Sequence, residues 1–224
     1  MEYIVATFRK STLLTRFKEN QSFIVFILLM LVFRSAIADW NDVPTGSMQP
    51  TIVEGDRIFI NKIAYDLRLP FSLHSLIKIG DPKANDIIVF ESKAAKKRLV
   101  KRVIGVPGDT VSMVNNKLLI NGQASSYQTL NQTMHQTISR EEFKHSSHQI
   151  RLNNMHSNLA NFSLVTVPDN HYLVLGDNRD NSADSRVIGF VPRSEIIGRS
   201  TKVVVSFDYT NYFLPRAERF MLTI

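Results

Sequence analysis

Residues 23–33 read FIVFILLMLVF, an unbroken apolar run, and nothing downstream matches it in length. The chain is therefore divided into a greasy segment near the N-terminus and a long remainder patterned in short pieces. With 44% hydrophobic and 21% charged residues over 224 positions and a mean hydropathy near zero, most of the chain is expected to fold in water. Any membrane segment is short and local.

Two readings of that segment compete. The run alone is shorter than the roughly 20 residues that span a bilayer, and Ala36-Ile37-Ala38 has the form of an A-x-A cleavage site, which together describe a removable signal peptide. Counting residues 22–38, with Arg34 snorkelling to the far interface and Trp40 at an interfacial position, gives a retained anchor near the lower limit of about 17 residues. The anchor is the reading we favour. Arg9, Lys10, Arg16 and Lys18 precede it, so the positive-inside rule places residues 1–21 in the cytoplasm and everything after Trp40 outside, in single-pass topology.

Past Trp40 the pattern is that of strands and turns. Apolar or alternating runs at residues 57–60, 86–90, 99–106, 110–114, 117–120, 163–167, 171–175 and 196–205 are separated by Gly55-Asp56, Pro107-Gly108-Asp109, Asn115-Asn116 and Asn121-Gly122. The class is mainly β, an antiparallel-sheet domain, with a hairpin over residues 111–120 closed at Asn115-Asn116. Residues 123–161 are rich in Ser, Asn, Gln, Thr and His. They read as an inserted, partly loop-like polar lobe between two halves of one domain, residues 39–122 and 162–224.

The formal charge of +7 suits nucleic acid or an anionic membrane surface. No recognition helix, zinc spacing or RNA-binding motif accompanies it, so nucleic acid is not expected. The absence of cysteine excludes disulfides, thiol catalysis and zinc thiolates. His135, His145, His148 and His156 in the polar lobe lack carboxylate spacing for a metal. A calcium loop starting at Asp180 lacks the glycine and the closing glutamate it needs. No metal and no organic cofactor is expected.

Chemistry is concentrated in three places. Ser47 follows Gly46 in Val43-Pro44-Thr45-Gly46-Ser47-Met48-Gln49-Pro50, where glycine permits close approach of a carbonyl and proline restricts the loop. This pattern also suits a plain linker, so Ser47 needs a base. Residues 93–102 contain six basic side chains, of which Lys93, Lys96, Lys97 and Arg98 read as a solvated loop. Lys101 lies in the alternating stretch Leu99-Val100-Lys101-Arg102-Val103-Ile104, where one basic residue must face apolar neighbours. A lysine there loses hydration of its charged form, its pKa falls, and it becomes able to take a proton from serine. Residues 176–186 mix Asp177, Asp180 and Asp184 with Arg179 and Arg186, and Ser182 among them is placed to position a neutral lysine.

The segments TGSMQPT around Ser47, GDRIFINKIAY at 55–65, KRVIGVPGD at 101–109 and GDNRDNSADSRVIGFVP at 176–192 occur in the order found in bacterial signal peptidase I, the leader peptidase family, and the chain resembles that family except over about residues 123–161. The resemblance implies Ser47 as nucleophile and Lys101 as general base, with the Thr45 hydroxyl and the Ser47 amide as oxyanion hole. The family usually has serine where this chain has Thr45. The resemblance further implies Ser182 orienting Lys101, Asp184 paired with Arg186, Asp177 paired with Arg102, and Val43 and Val100 shaping small pockets for Ala-x-Ala sequences. The activity implied is removal of signal peptides from exported preproteins, bound by strand addition, by a monomer in the bacterial cytoplasmic membrane with its catalytic domain on the outer side. A dedicated peptidase for one special substrate, such as a pilin or conjugation protein, fits the same residues. A self-cleaving Ser/Lys repressor would carry an N-terminal DNA-binding domain in place of the apolar segment. A non-catalytic anchored β protein would leave Ser47 without a task. Leu67, Leu69, Pro70, Phe71 and Leu73 form a second apolar patch, suited either to the membrane interface or to core packing.

Overall fold

A computed structural model describes residues 19–224 except 73, 145 and 156. Arg9, Lys10, Arg16 and Lys18, which set the expected orientation, lie outside the described residues, as do Leu73, His145 and His156.

The apolar segment forms helix α1, Gln21–Ala36, of 16 residues. At about 1.5 Å rise per residue it is roughly 24 Å long, short of a hydrocarbon core of about 30 Å. Among the described residues no helix is long and apolar enough to cross a membrane. Its side chains, Phe23, Phe26, Leu29 and Phe33 among them, are nevertheless exposed. The C-terminal end of α1 is firmly tied. The Lys62 ammonium donates to the carbonyls of Arg34 and Ser35 at 2.9 and 3.1 Å, placing a cation on the negative end of the helix. Arg34 bonds Asp39 at 2.7 Å and lies 4.4 Å over the Trp40 ring. Ala38, which the sequence reading placed inside the anchor, is already the first residue of a strand.

Strands are numbered along the chain. The main antiparallel sheet runs β1 (Ala38–Asp42), β2 (Asp56–Asn61), β16 (Ile196–Asp208), β5 (Ile87–Ser92), β6 (Lys97–Gly105), β14 (His171–Leu175), β15 (Val191–Pro192), with β17 (Leu214–Pro215) on β16. Strand β5 reads IIVF without alternation because it is buried on both faces. Ile87 and Val89 join Val43, Met48, Ile52, Ile58 and Val203 on one side, whereas Ile88 and Phe90 join Tyr65, Leu99, Val103 and Tyr172 on the other. A second sheet runs β13 (Phe162–Thr166), β7 (Thr110–Val114), β8 (Lys117–Ile120), β9 (Gln123–Ala124). The β7–β8 turn is the expected one, with Asn115 and Asn116 both at positive φ of 50 and 60°, as a two-residue hairpin turn requires. A small ribbon, β3 (Asp66–Arg68) with β4 (Ser75–Lys78), exposes Leu69 and Phe71 near its tip.

The polar lobe holds more sheet than a partly loop-like segment suggests. Strands β10 (Ser126–Gln132), β11 (Gln136–Phe143) and β12 (Ser146–Asn153) form an antiparallel sheet whose β10–β11 register shifts between Thr129 and Asn131. Its alternation escaped the sequence reading because the buried positions are Ser139, Glu141, Phe143, His148 and Ile150, a set that is mostly polar.

Gly55 fixes the approach to the Ser47 loop: its amide donates to Val43 O at 3.1 Å and its carbonyl accepts from Phe207 N at 3.0 Å. It has φ +91°, and a Cβ there would collide with the Phe207 carbonyl, whereas Gly122 at φ +77° faces open space. Gly122→Ala is therefore expected to lose about 1 kcal/mol from the left-handed conformation alone, and Gly55→Ala about 3 kcal/mol or more. Equal shifts in the urea midpoint would contradict the packing described.

Candidate active site

Ser47 sits in a single 3-10 turn, Gly46–Met48, held at both ends. Upstream, Val43 N donates to Asp56 O at 2.9 Å; downstream, Ile52 N returns to Met48 O at 3.0 Å. Met48 and Ile52 are buried in the main core, so the turn is pinned by its apolar side chains while Ser47 stays partly open. From across the site Asn178 grips the same turn, its amide donating to Ser47 O at 3.1 Å and its side chain to Gly46 O at 2.9 Å. Gly176 makes this approach possible, because a Cβ there would meet both Ser47 O and Ser182 Oγ.

Lys101 comes from β6 and is 2% exposed. Its Nζ lies 2.7 Å from Ser47 Oγ and 2.9 Å from Val100 O, and no salt bridge to a carboxylate is formed by it among the described residues. Loss of hydration pushes its pKa down from 10.5 to about 8; Asp184 and Asp177 pull it partly back up, and Lys97 adds to the fall. The next residue is equally buried but fully paired. Arg102 donates from Nε and Nη2 to Asp177 at 2.8 and 2.7 Å and from Nη1 to Asn85 O at 3.1 Å. Burial alone would raise the Asp177 carboxyl, but Arg102 and a hydrogen bond from Thr51 hold it below the ordinary carboxylate value.

The second expected pair is also formed. Arg186 donates to both Asp184 oxygens at 2.8 and 2.7 Å, and Asp184 accepts from Gly176 N at 3.0 Å while capping the one-turn helix α2, Ser185–Ile188. Ser182 is buried beside Gly176, and among the described residues its hydroxyl has no hydrogen-bond partner, Lys101 included. Thr45 is exposed at the start of the Ser47 turn, in extended backbone, with its side chain free of any cap bond.

A cleft of about 220 Å³ opens beside Ser47, lined by Asn41, Val43, Thr45, Leu99, Val100 and Lys101 among others. Strand β6 pairs with β5 from Lys97 onward, but β14 reaches it only from Arg102. The other edge of residues 97–101 thus faces segment 41–45 across the cleft, the geometry into which an extended peptide can add as a strand. Among the described residues no group of three His, Asp or Glu is arranged to hold a metal ion.

Asn178, Thr51 and the residues of the polar lobe are site elements whose roles no sequence motif marks. Asn178 and Thr51 lie inside segments already singled out, and only the fold shows that their polar groups turn towards the Ser47 loop and Asp177. Glu141, His148 and Arg151 carried no local signal.

Sequence comparison follows the same lines. The profile of the family described as Signal peptidase, peptidase S26, matches residues 16–205. The chain is 34% identical over 204 residues to Signal peptidase I of Pseudomonas aeruginosa, covering 84% of this chain and 72% of that protein. It is 33% identical over 188 residues to Signal peptidase I P of Bacillus subtilis subsp. natto, covering 82% and 87%. A crystal structure of a signal peptidase I from Enterococcus faecalis aligns with a TM-score of 0.36 and 31% identity, over 55% of this chain and 98% of that one.

The lysine environment has a stability consequence. In the unfolded chain Lys101 keeps its proton to about pH 10.5, whereas the native site releases it near 8, so the cost of burying the ammonium is complete below pH 8 and disappears as pH rises towards 10.5. Lys101→Met is expected to be more stable than wild type at pH 7. That advantage should shrink by on the order of 3 kcal/mol between pH 8 and 10.5, at about 1.4 kcal/mol per unit. Denaturant titrations at four pH values check this, and a constant difference would contradict it.

Proposed function

The chain belongs to the signal peptidase family, peptidase S26, and we propose that it is a membrane-bound Ser/Lys endopeptidase that removes signal peptides from exported preproteins after Ala-x-Ala-like sites. The observation that carries this reading is the 2.7 Å contact between Ser47 Oγ and the Nζ of a buried lysine that has no carboxylate partner among the described residues. A signal peptidase I from Pseudomonas aeruginosa is among its relatives.

In the proposed reaction the preprotein lies extended between segment 41–45 and the open edge of β6, with small side chains against Val43 and Val100. Neutral Lys101 takes the Ser47 proton as Oγ attacks the scissile carbonyl carbon. The oxyanion is stabilised by the Ser47 amide and the Thr45 hydroxyl. The lysine ammonium then returns its proton to the leaving amine, freeing the mature protein. Water, deprotonated by the same lysine, releases the signal peptide from Ser47. Asp184, Arg186, Asp177 and Arg102 support the lysine and its loop, while Ser182, whose hydroxyl is not bonded to Lys101, packs beside Gly176.

The membrane reading rests on residues 22–38, whose helical part exposes apolar side chains on all sides and so asks for an apolar solvent. The exposed Phe71 lies beside its end, its amide bonded to Ser35 Oγ at 2.6 Å, so the β3–β4 ribbon and the helix would meet the interface together. On this reading the chain is a monomer in the bacterial cytoplasmic membrane, with its N-terminus inside.

Detergent-solubilised protein should cut a panel of preproteins, with N-terminal sequencing placing the cut after Ala-x-Ala-like sites. Ser47→Ala and Lys101→Met should each lower kcat at least a thousandfold without unfolding the protein. Thr45→Val should lower kcat about a hundredfold with little change in KM. Turnover near wild type in either of the first two variants would refute the dyad. An effect of Thr45→Val confined to KM would place that residue in the substrate cleft alone.

A further inference from the structure

The polar lobe is bonded to both loops of the candidate active site. On β12, Arg151 N donates to Asp177 O at 2.8 Å and Arg151 O accepts from Arg179 N at 3.0 Å, so the strand pairs with the loop at Asn178. The Arg151 guanidinium reaches past that loop to Gln49, two residues after Ser47. Asn178, held between these bonds, is the residue that grips Gly46 and Ser47. A single strand of the lobe thus contacts the nucleophile turn and the loop beneath the base.

On β11, Glu141 is fully buried and takes the equally buried Arg179 guanidinium on both carboxylate oxygens. Its Oε1 also accepts from Tyr127 OH at 2.6 Å. Burial would raise the Glu141 carboxyl, but Arg179 and His148 hold it well below the ordinary range. Arg179 in turn passes the constraint on, because its carbonyl accepts from Arg186 at 2.5 Å, and Arg186 is the partner of Asp184. Two buried charges fixed in this way leave the loop one position, since moving it would strand either ion without its partner. At the loop's far side, Asp180 accepts from Asn153 N at 2.8 Å, a third tie to β12.

We propose that Glu141 and Arg151 are positioning residues, through which the lobe holds loop 176–186 and the Ser47 turn in the one relative placement that brings Ser47 Oγ to Lys101. The lobe is then part of the catalytic framework and not an appendage to it. This rests on the Ser/Lys reading. It predicts that loosening the lobe lowers the rate of the chemical step while leaving the substrate cleft, whose lining comes from segment 41–52 and β6, unaltered.

The test uses the full chain in detergent, one preprotein substrate, and kcat, KM and thermal midpoint for Arg151→Ala, Arg151→Lys, Glu141→Gln and Ser47→Ala, with exposed Arg140→Ala on the same lobe as control. Arg151→Ala and Glu141→Gln are expected to lower kcat tenfold or more with KM within twofold. Arg151→Lys, which retains a charge and a donor towards Gln49, should recover at least threefold over Arg151→Ala; if Arg151→Ala fails to fold, Arg151→Lys should still fall below wild type in kcat. Arg140→Ala should match wild type. An inactive Ser47→Ala alongside wild-type kcat in the folded lobe variants, or a change in KM alone, overturns the lobe proposal and leaves the dyad standing. Activity in Ser47→Ala overturns both.

Discussion

A lysine ammonium closed off from water without an ion-pair partner is costly, and among the described residues the arrangement around Lys101 maintains that condition. Asp177 and Asp184 are the nearby acids that pull its pKa back up. Each is instead occupied on both oxygens by an arginine, Arg102 for the first and Arg186 for the second. The two pairs keep both acids committed elsewhere, and Arg102 holds the Asp177 carboxyl below the ordinary carboxylate value. Adjacent positions on β6 therefore have opposite fates, Arg102 as a saturated ion pair and Lys101 as an amine whose nearest side-chain partner is a serine hydroxyl.

The placement of Ser47 follows from how α1 enters the sheet. The helix end is capped by Lys62 of the segment after β2, and β1 begins two residues later, paired to β2 from Ala38 to Asp42. There is no flexible tether between helix and cleft, since β1 runs directly into the Val43 segment that lines it. If α1 anchors the chain, as proposed, the nucleophile stands at a fixed height above the bilayer. A preprotein held in the same bilayer by its own apolar segment then meets it at raised effective concentration.

Much of this was legible in the sequence, and the exceptions have a common cause. The strands at 110–114 and 117–120 have the expected limits because their alternation is carried by Val111, Met113, Leu118 and Ile120, and 171–175 because it is a short apolar run buried at 172–175. The Asn115-Asn116 turn was readable because few other residue types tolerate two consecutive positive φ angles. Lys101 stood out as a charge in an apolar strand, and the Asp177–Arg102 and Asp184–Arg186 pairs took the partners that the family resemblance implied. Ser182, expected to orient Lys101, lies beside Gly176, and its hydroxyl makes no bond to Lys101. Strand β1 was hidden because its residues, ADWND, have no strand-like hydrophobic pattern, and it forms through pairing with β2. The lobe was hidden because its buried face is built from Glu141, His148 and Ser139, whose burial depends on Arg179 and other partners far away in sequence.

The proposed reaction makes Lys101, neutral above about pH 8, the base that activates Ser47. It is tested most directly by the pH dependence of kcat/KM for one preprotein substrate with the detergent-solubilised enzyme. A single rise to a plateau with its midpoint near 8 is expected, matching the lowered lysine pKa. A profile flat across pH 7 to 9, or one whose midpoint lies near the unperturbed lysine value of about 10.4, would contradict it.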